Sequence, residues 1–290
     1  MCRQLAWLGP VRPLAELLAD RPSGLYRQSW APQRQAHGTV NADGFGIGWY
    51  PPGAEDAPAR YRRATPIWAD PDLPDLLRTL HSGAGLAAVR DATPDTALDA
   101  AACAPFRSGR WLFGHNGAVG SWRQLPEDLD EVLPGSALLG LEAGSDSALV
   151  WLLVQRRLRT GEPPGAALAE VVRAVAAVRP QARLNLLLTD GRTIAATCWG
   201  DSLWYRTGTD RVLVASEPCD DSGEDGGDGW REAPEGSLLL ATLSTVTVTP
   251  LSTGPPSTPG PDTDPTTATA PITASTSTDR SRRDDIALHA

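Results

Sequence analysis

Cysteine and histidine are scarce in this chain, four of each in 290 residues, and neither type is spaced for a joint task. Cys2, Cys103, Cys198 and Cys219 contain no C-x-x-C pair, so they do not describe a disulfide scaffold and suit a reducing compartment. His37, His81, His115 and His289 build neither an H-E-x-x-H motif nor a His/Cys cluster, which argues against a zinc site. No metal and no other cofactor is expected. Positive charge is also short. Lys and Arg number 26 against 35 Asp and Glu, for a net charge of -9. A binder of nucleic acid or of an anionic membrane needs a basic footprint, so neither is expected as a partner. No stretch approaches the roughly 18 apolar residues that span a bilayer. The apolar run after Arg3 is broken by Pro10, Arg12 and Pro13 before a signal-peptide core can form, and the expected location is the cytoplasm.

What remains is an ordinary globular composition, 41% hydrophobic, in a chain long enough to bury a full core. Composition changes sharply after Leu251. Residues 252–290 are mostly Ser, Thr, Pro, Gly and Asp, which bury too little surface to offset the entropy of ordering, and read as a disordered tail. Residues 220–229 are acidic and glycine-rich without the spacing of an EF-hand loop, and read as a surface loop. The domain is therefore 2–251.

Within it, Leu5 to Leu8 predicts a strand ended by Gly9-Pro10, and Gly44 to Tyr50 a strand whose glycines allow close backbone approach. Leu86–Val89 and Trp111–Phe113 are further strand candidates. Ser145 stands as N-cap before an apolar helical run. Leu168, Val171, Val172, Val175 and Val178 predict a second helix closed by Pro180. Strands return at 184–188, 193–198, 212–215, 237–241 and 246–248. Strands, a helical pair, then strands again predict an α+β fold with two sheets enclosed by helices.

Cys2 stands out by position. Removal of Met1 leaves a free α-amine beside the thiol, with an unperturbed pKa near 7.7–8.0, able to take the thiol proton without a histidine. Four further segments carry candidate chemistry: Asn41 to Tyr50, Val89 to Thr93, Phe113 to Gly117 and Gly144 to Ser147. Singly, each has a structural alternative. The glycines of 44–48 suit a strand, Arg90 a surface charge, Asn116-Gly117 a turn and Asp146 a helix cap.

In this order behind an N-terminal cysteine, the four segments resemble the class II glutamine amidotransferase domain of the N-terminal-nucleophile hydrolases. The segments 1–9, 183–191, 199–205 and 215–218 are similar to those of the stand-alone γ-glutamyl hydrolases of ergothioneine biosynthesis; Gln4 and Cys219 depart from that pattern outside the catalytic motifs. The resemblance implies a single-domain, four-layer αββα sandwich. It implies hydrolysis of the γ-glutamyl amide of γ-glutamyl-hercynylcysteine sulfoxide, with Cys2 as nucleophile and the Asn116 amide and Gly117 N–H as oxyanion hole. Arg90 would hold the glutamyl α-carboxylate and Asp146 the α-ammonium, with Thr93 and His115 lining or supporting the pocket. The trimethylammonium of the leaving group suits an aromatic cage, for which Trp30 and Trp122 are candidates.

The small-molecule γ-glutamyl substrate is the one partner expected, with no obligate protein partner. Three rival readings remain at this point. One is a glutaminase subunit supplying ammonia to a separate synthase. Another is an amidohydrolase that frees its nucleophile by internal cleavage. The third is a binding protein that keeps the pocket but not a processed N-terminus.

Overall fold

The computed structural model describes residues 2–54, 56–129, 132–219 and 229–251. The tail expected over 252–290 and residues 220–228 of the loop expected over 220–229 lie outside the described residues. The chain opens with β1 (Arg3–Pro13) and three short helices follow in part, α1 (Leu14–Leu18), α2 (Leu25–Gln28) and, after the hairpin β2 (Phe45–Trp49) and β3 (Ala59–Arg63), α3 (Leu73–Thr79). Next come β4 (His81–Val89), β5 (Phe106–Ser108) and β6 (Trp111–Ala118). The helical middle holds α4 (Leu125–Asp128), α5 (Gly135–Leu139), α6 (Asp146–Arg159) and α7 (Pro164–Val178). The C-terminal half is β7 (Arg183–Thr189), β8 (Ile194–Cys198), β9 (Trp204–Thr207), β10 (Val212–Ala215), β11 (Arg231–Glu232), β12 (Ser237–Ala241) and β13 (Val246–Pro250).

These strands form two antiparallel sheets. One has the order β11-β9-β10-β1-β4-β2-β3, the other β13-β12-β8-β7-β6-β5. Side-chain alternation assigns the layers. Leu5, Trp7, Ile47 and Val89 pack under α1, α2 and α3. Ala6, Leu8, Leu86, Leu112, Leu187 and Val214 fill the space between the sheets. Phe113, Leu184, Leu186 and Leu188 meet α6 and α7, where Phe113 stacks on Trp151 at 4.9 Å. The result is the four-layer αββα sandwich expected. Leu251 closes the described chain, buried in the α6/α7 core.

The two long helices form for the reasons read in the sequence. Ser145 Oγ accepts from Ala148 N at 3.2 Å, and Arg156, Arg157 and Arg159 occupy the last turn, where the helix dipole favours cations. Pro164 starts α7, and the helix stops at Val178, before Arg179 and Pro180. The glycine strand also behaves as expected. A Cβ on Gly46 would lie 2.2 Å from Ala104 O, so the 103–105 segment rests directly on β2.

Gly9-Pro10 does not end the first strand. β1 continues to Pro13, with its register against β4 shifting between Leu8 and Arg12. A bulge absorbs the irregular residues and the pairing resumes. Asn116-Gly117 is not a turn either; both residues lie inside β6, paired with β7. Among the described residues no helix is long and apolar enough to cross a membrane, and no group of three or more metal-binding side chains assembles.

Candidate active site

The site lies at one end of the gap between the sheets. On β1, Leu5 and Trp7 face the helices while Ala6 and Leu8 face the other sheet. Gln4 follows the inward set, and continuing the same alternation turns Cys2 inward. Arg3 pairs with Val89, so Arg90 and Asp91 leave β4 beside Cys2. Cys2 Sγ lies 3.9 Å from Asp91 O. Burial pushes the Cys2 thiol above its ordinary value, against the pull of the terminal positive charge and of Arg90. A thiol held protonated in this way needs a base in reach before it can attack.

The facing sheet contributes β6, which turns Leu112 and Asn116 into the gap and Phe113 and His115 toward α6. Asn116 is fully buried. Its Nδ2 donates to Ser216 Oγ at 3.4 Å, and that same hydroxyl accepts from Gln4 N at 3.1 Å. Gln4 Nε2 donates to Asn185 O at 2.9 Å, and Asn185 stands opposite Asn116 in the β6/β7 register. A closed ring of polar contacts thus ties the nucleophile strand to Asn116 across the gap. Asn116 Oδ1 makes no hydrogen bond among the described residues. At Gly117 a Cβ would sit 1.9 Å from Arg183 O, so β7 passes too close for any side chain.

Arg90 is fixed from both ends. Its N–H donates to Gly44 O and its carbonyl accepts from Asp43 N, each at 2.8 Å. Its Nη2 donates to Thr96 Oγ1 at 3.0 Å, and that hydroxyl donates to Thr93 O at 2.6 Å. Nη1 is buried and makes no hydrogen bond among the described residues. Asp43 Oδ2 accepts from Ala92 N at 2.8 Å, holding the turn that follows Arg90. Asp146 opens α6, buried, with Oδ2 accepting from Val119 N at 3.0 Å and Oδ1 from Ser147 N at 2.8 Å. Its charge reaches the Cys2 thiol, as does that of Arg90.

His115 takes the other side of β6. Arg183 O, at 2.9 Å from Nε2, can only accept, so Nε2 carries a proton, and Nδ1 meets Ser147 Oγ at 3.0 Å. The ring braces β6 against α6 and β7 and has no nitrogen left for the gap. Thr93 lines a cavity of about 370 Å³ with Val119, Gly120, Ser121 and Trp122. The two candidate cage tryptophans do not meet there. Trp30 packs edge-on to Tyr26 at 5.2 Å and to Trp68 at 5.8 Å, while Trp122 carries the Arg123 guanidinium 4.6 Å above its ring.

Four contributors escaped the sequence reading: Ser216, Asn185, Asp43 and Thr96. The first three lie inside segments singled out from the sequence, but nothing in spacing says that a serine after β10 bonds an asparagine on the other sheet. Gln4, set aside as outside the site, belongs to the same ring. A further buried pair underlies it. Arg3 Nη1 lies 3.8 Å from Glu217 Oε2, both side chains almost wholly buried, and Glu217 also accepts from Gln33 N and Arg34 N at 3.1 and 2.8 Å.

Comparison with known proteins gives a consistent picture. Residues 25–211 match the model of the family described as glutamine amidotransferases class-II. The chain is 41% identical over 251 residues to the gamma-glutamyl-hercynylcysteine sulfoxide hydrolase of Mycolicibacterium smegmatis, covering 87% of this chain and 100% of that one. It is 38% identical over the same length to the protein of that name from Mycobacterium tuberculosis, covering 97% of it. Among solved structures, a glutamine aminotransferase class-II domain protein from Silicibacter pomeroyi superposes with a TM-score of 0.60 at 22% identity, covering 86% of this chain and 99% of that one. The glutamine phosphoribosylpyrophosphate amidotransferase of B. subtilis superposes with a TM-score of 0.59 at 16% identity, over 86% of this chain and 49% of its own. At these identities the superpositions speak for the fold.

Proposed function

The chain belongs to the class-II glutamine amidotransferases, and we propose that it hydrolyses the γ-glutamyl amide bond of γ-glutamyl-hercynylcysteine sulfoxide, releasing glutamate and hercynylcysteine sulfoxide in ergothioneine biosynthesis. The observation that carries this reading is 41% identity across the whole length of the Mycolicibacterium smegmatis hydrolase. Residues 2–251 form the catalytic unit, and the reaction needs no second protein. A cytoplasmic setting suits four thiols of which none is in a disulfide.

Once Met1 is removed, the α-amine of Cys2 accepts the thiol proton and Sγ attacks the γ-carbonyl carbon. The oxyanion takes hydrogen bonds from Asn116 Nδ2 and the Gly117 N–H. Asn116 Nδ2 has one hydrogen engaged with Ser216 Oγ and a second to give, which supports the assignment. The tetrahedral centre collapses by breaking the C–N bond, the α-ammonium returns its proton to the leaving amine, and a thioester remains. Water, deprotonated by the same amine, cleaves the thioester to glutamate and free thiol. The unengaged Nη1 of Arg90 supports its role as fork for the glutamyl α-carboxylate. Asp146 balances the α-ammonium, while Thr93 and His115 support the pocket walls.

Purified Met1-free protein incubated with the sulfoxide, and separately with glutamine, tests the reading. Release of glutamate from the sulfoxide with glutamine cleaved slowly is expected. Rapid glutamine hydrolysis with the sulfoxide intact would transfer the chain to the ammonia-supplying amidotransferases.

A further inference from the structure

A second cavity, of about 630 Å³, has its walls on the β10 side of β1, whereas Arg90 lies on the β4 side. In the order β10-β1-β4, Arg90 follows β4 while Ser216 and Glu217 follow β10. The walls of the cavity hang on that β10 side. They are Arg34 and Ala36, Cys198 with the turn Gly200 to Ser202, and the segment Glu232 to Glu235. Two of the three walls are fastened to the residues around the nucleophile. Asn185 Nδ2 donates to Asp201 O at 2.7 Å and to Ser202 O at 3.0 Å, and Asn185 O is the acceptor for Gln4. Ser202 Oγ donates to Ser216 O at 2.8 Å. Arg34 N donates to Glu217 Oε2, the partner of Arg3.

The lining carries three carboxylates, Asp201, Glu232 and Glu235, and the guanidinium of Arg34; with Asp201 paired to Arg183, Glu232 and Glu235 stand against Arg34. Asp201 is the buried member, its side chain 3% exposed; Oδ2 accepts no hydrogen bond among the described residues and has Arg183 Nε at 3.3 Å. Glu235 spends Oε1 on Gly200 N at 2.9 Å, which fixes its carboxylate at the wall. Arg34 is held with its guanidinium 4.6 Å above the Trp204 ring.

We propose that this cavity is the leaving-group subsite, in which Glu232 and Glu235 receive a fixed cation and Arg34 a carboxylate of a zwitterionic amine. The inference rests on the γ-glutamyl hydrolase reading above and extends it to the other half of the substrate. With the glutamyl head on the β4 flank, the amine that departs from the γ-carbonyl lies on the β10 flank. A betaine leaving group carries one quaternary ammonium, which cannot donate a hydrogen bond and is held by charge alone, together with carboxylates that a guanidinium matches. The mixed lining suits that pair better than it suits ammonia.

The test compares kcat/KM for γ-glutamyl-hercynylcysteine sulfoxide with kcat/KM for γ-glutamyl-S-methylcysteine, which has the same amide and no cation. In the Glu232→Gln, Glu235→Gln double variant, both shapes are kept and two charges removed. The ratio is expected to fall about tenfold at an unaltered thermal midpoint. An unchanged ratio overturns the subsite. If wild-type protein leaves the sulfoxide intact, the functional reading is what has failed. The same ratio is then taken between the γ-glutamyl amides of (2-aminoethyl)trimethylammonium and of 3,3-dimethylbutylamine. A cation preference lost in the double variant upholds the subsite, and no preference in wild type overturns it.

Discussion

Asn116 on one sheet and Ser216 on the other share a hydrogen bond of 3.4 Å across the gap, through a hydroxyl that also receives the Gln4 N–H. This is the contact that holds the proposed oxyanion donor in register with the nucleophile strand. Ser216→Ala is expected to lower kcat about tenfold with little change in KM, since it loosens Asn116 without touching bound glutamate. Asn116→Ala removes the donor itself and is expected to lower kcat by about 10²–10³. Steady-state kinetics of both variants check the pair. Equal losses in KM and none in kcat would remove Asn116 from the reaction.

Arg90 has one guanidinium nitrogen on Thr96 and one with no hydrogen bond among the described residues. Arg90→Lys keeps the charge and loses the fork, and is expected to lower kcat/KM for γ-glutamyl substrates about 10- to 100-fold. A γ-aminobutyryl substrate lacks the α-carboxylate and keeps the ammonium, so it should be almost insensitive to the same change. Equal sensitivity of the two substrates would place Arg90 elsewhere in the mechanism.

The pH dependence follows from the base. The amine must be neutral to take the thiol proton, so kcat/KM falls as pH drops through the amine's pKa, about 7.7–8.0 when unperturbed. His115→Asn should leave that acidic limb in place, because both His115 nitrogens are engaged away from the gap, and should cost about 1–3 kcal/mol of stability. Loss of the limb in this variant would make His115 the base.

Two buried thiols give a chemical check on the layers. Burial pushes Cys103 up to about 11 and Cys198 up to about 12. Only the thiolate reacts, so at pH 8 roughly one Cys103 in a thousand is competent, and Cys198 fewer. Burial raises the Cys2 thiol as well, but the α-amine beside it supplies a base that the other two lack. Brief alkylation of the folded Met1-free protein, followed by peptide mass spectrometry, should therefore mark Cys2 well before either. Cys198 lines the second cavity, and its early labelling would contradict its burial there.

Much of this was legible in the sequence because it depends on local pattern. Ser145 was readable as a cap and Val171, Val175 and Val178 as one helix face, since both signals lie within a few residues. Arg90, Asn116 and Asp146 were readable only as an ordered set, since each alone suits a surface, a turn or a cap. The partners that orient them were not readable. Ser216 lies 100 residues from Asn116 and Asn185 lies 181 from Gln4. Their meeting is fixed by sheet order, which no spacing encodes. The β1 bulge escaped for a different reason: Gly9-Pro10 is a turn signal, and pairing with β4 overrides it.

Gly117→Ala separates folding from chemistry. The added methyl would meet Arg183 O at 1.9 Å, so β6 and β7 must part. The expected outcome is a soluble yield and thermal midpoint well below wild type, by more than the roughly 1–3 kcal/mol of ordinary overpacking. A normally stable Gly117→Ala protein would mean that the two strands do not approach this closely.

The most direct measurement is intact-mass spectrometry of the Met1-free protein during turnover of γ-glutamyl-hercynylcysteine sulfoxide, beside a Cys2→Ala control. The account predicts a transient glutamyl adduct on the wild-type chain, mapped to Cys2, with glutamate and hercynylcysteine sulfoxide released, and neither adduct nor product from the control. Product formation by the Cys2→Ala protein, or an adduct mapped to another residue, would contradict it.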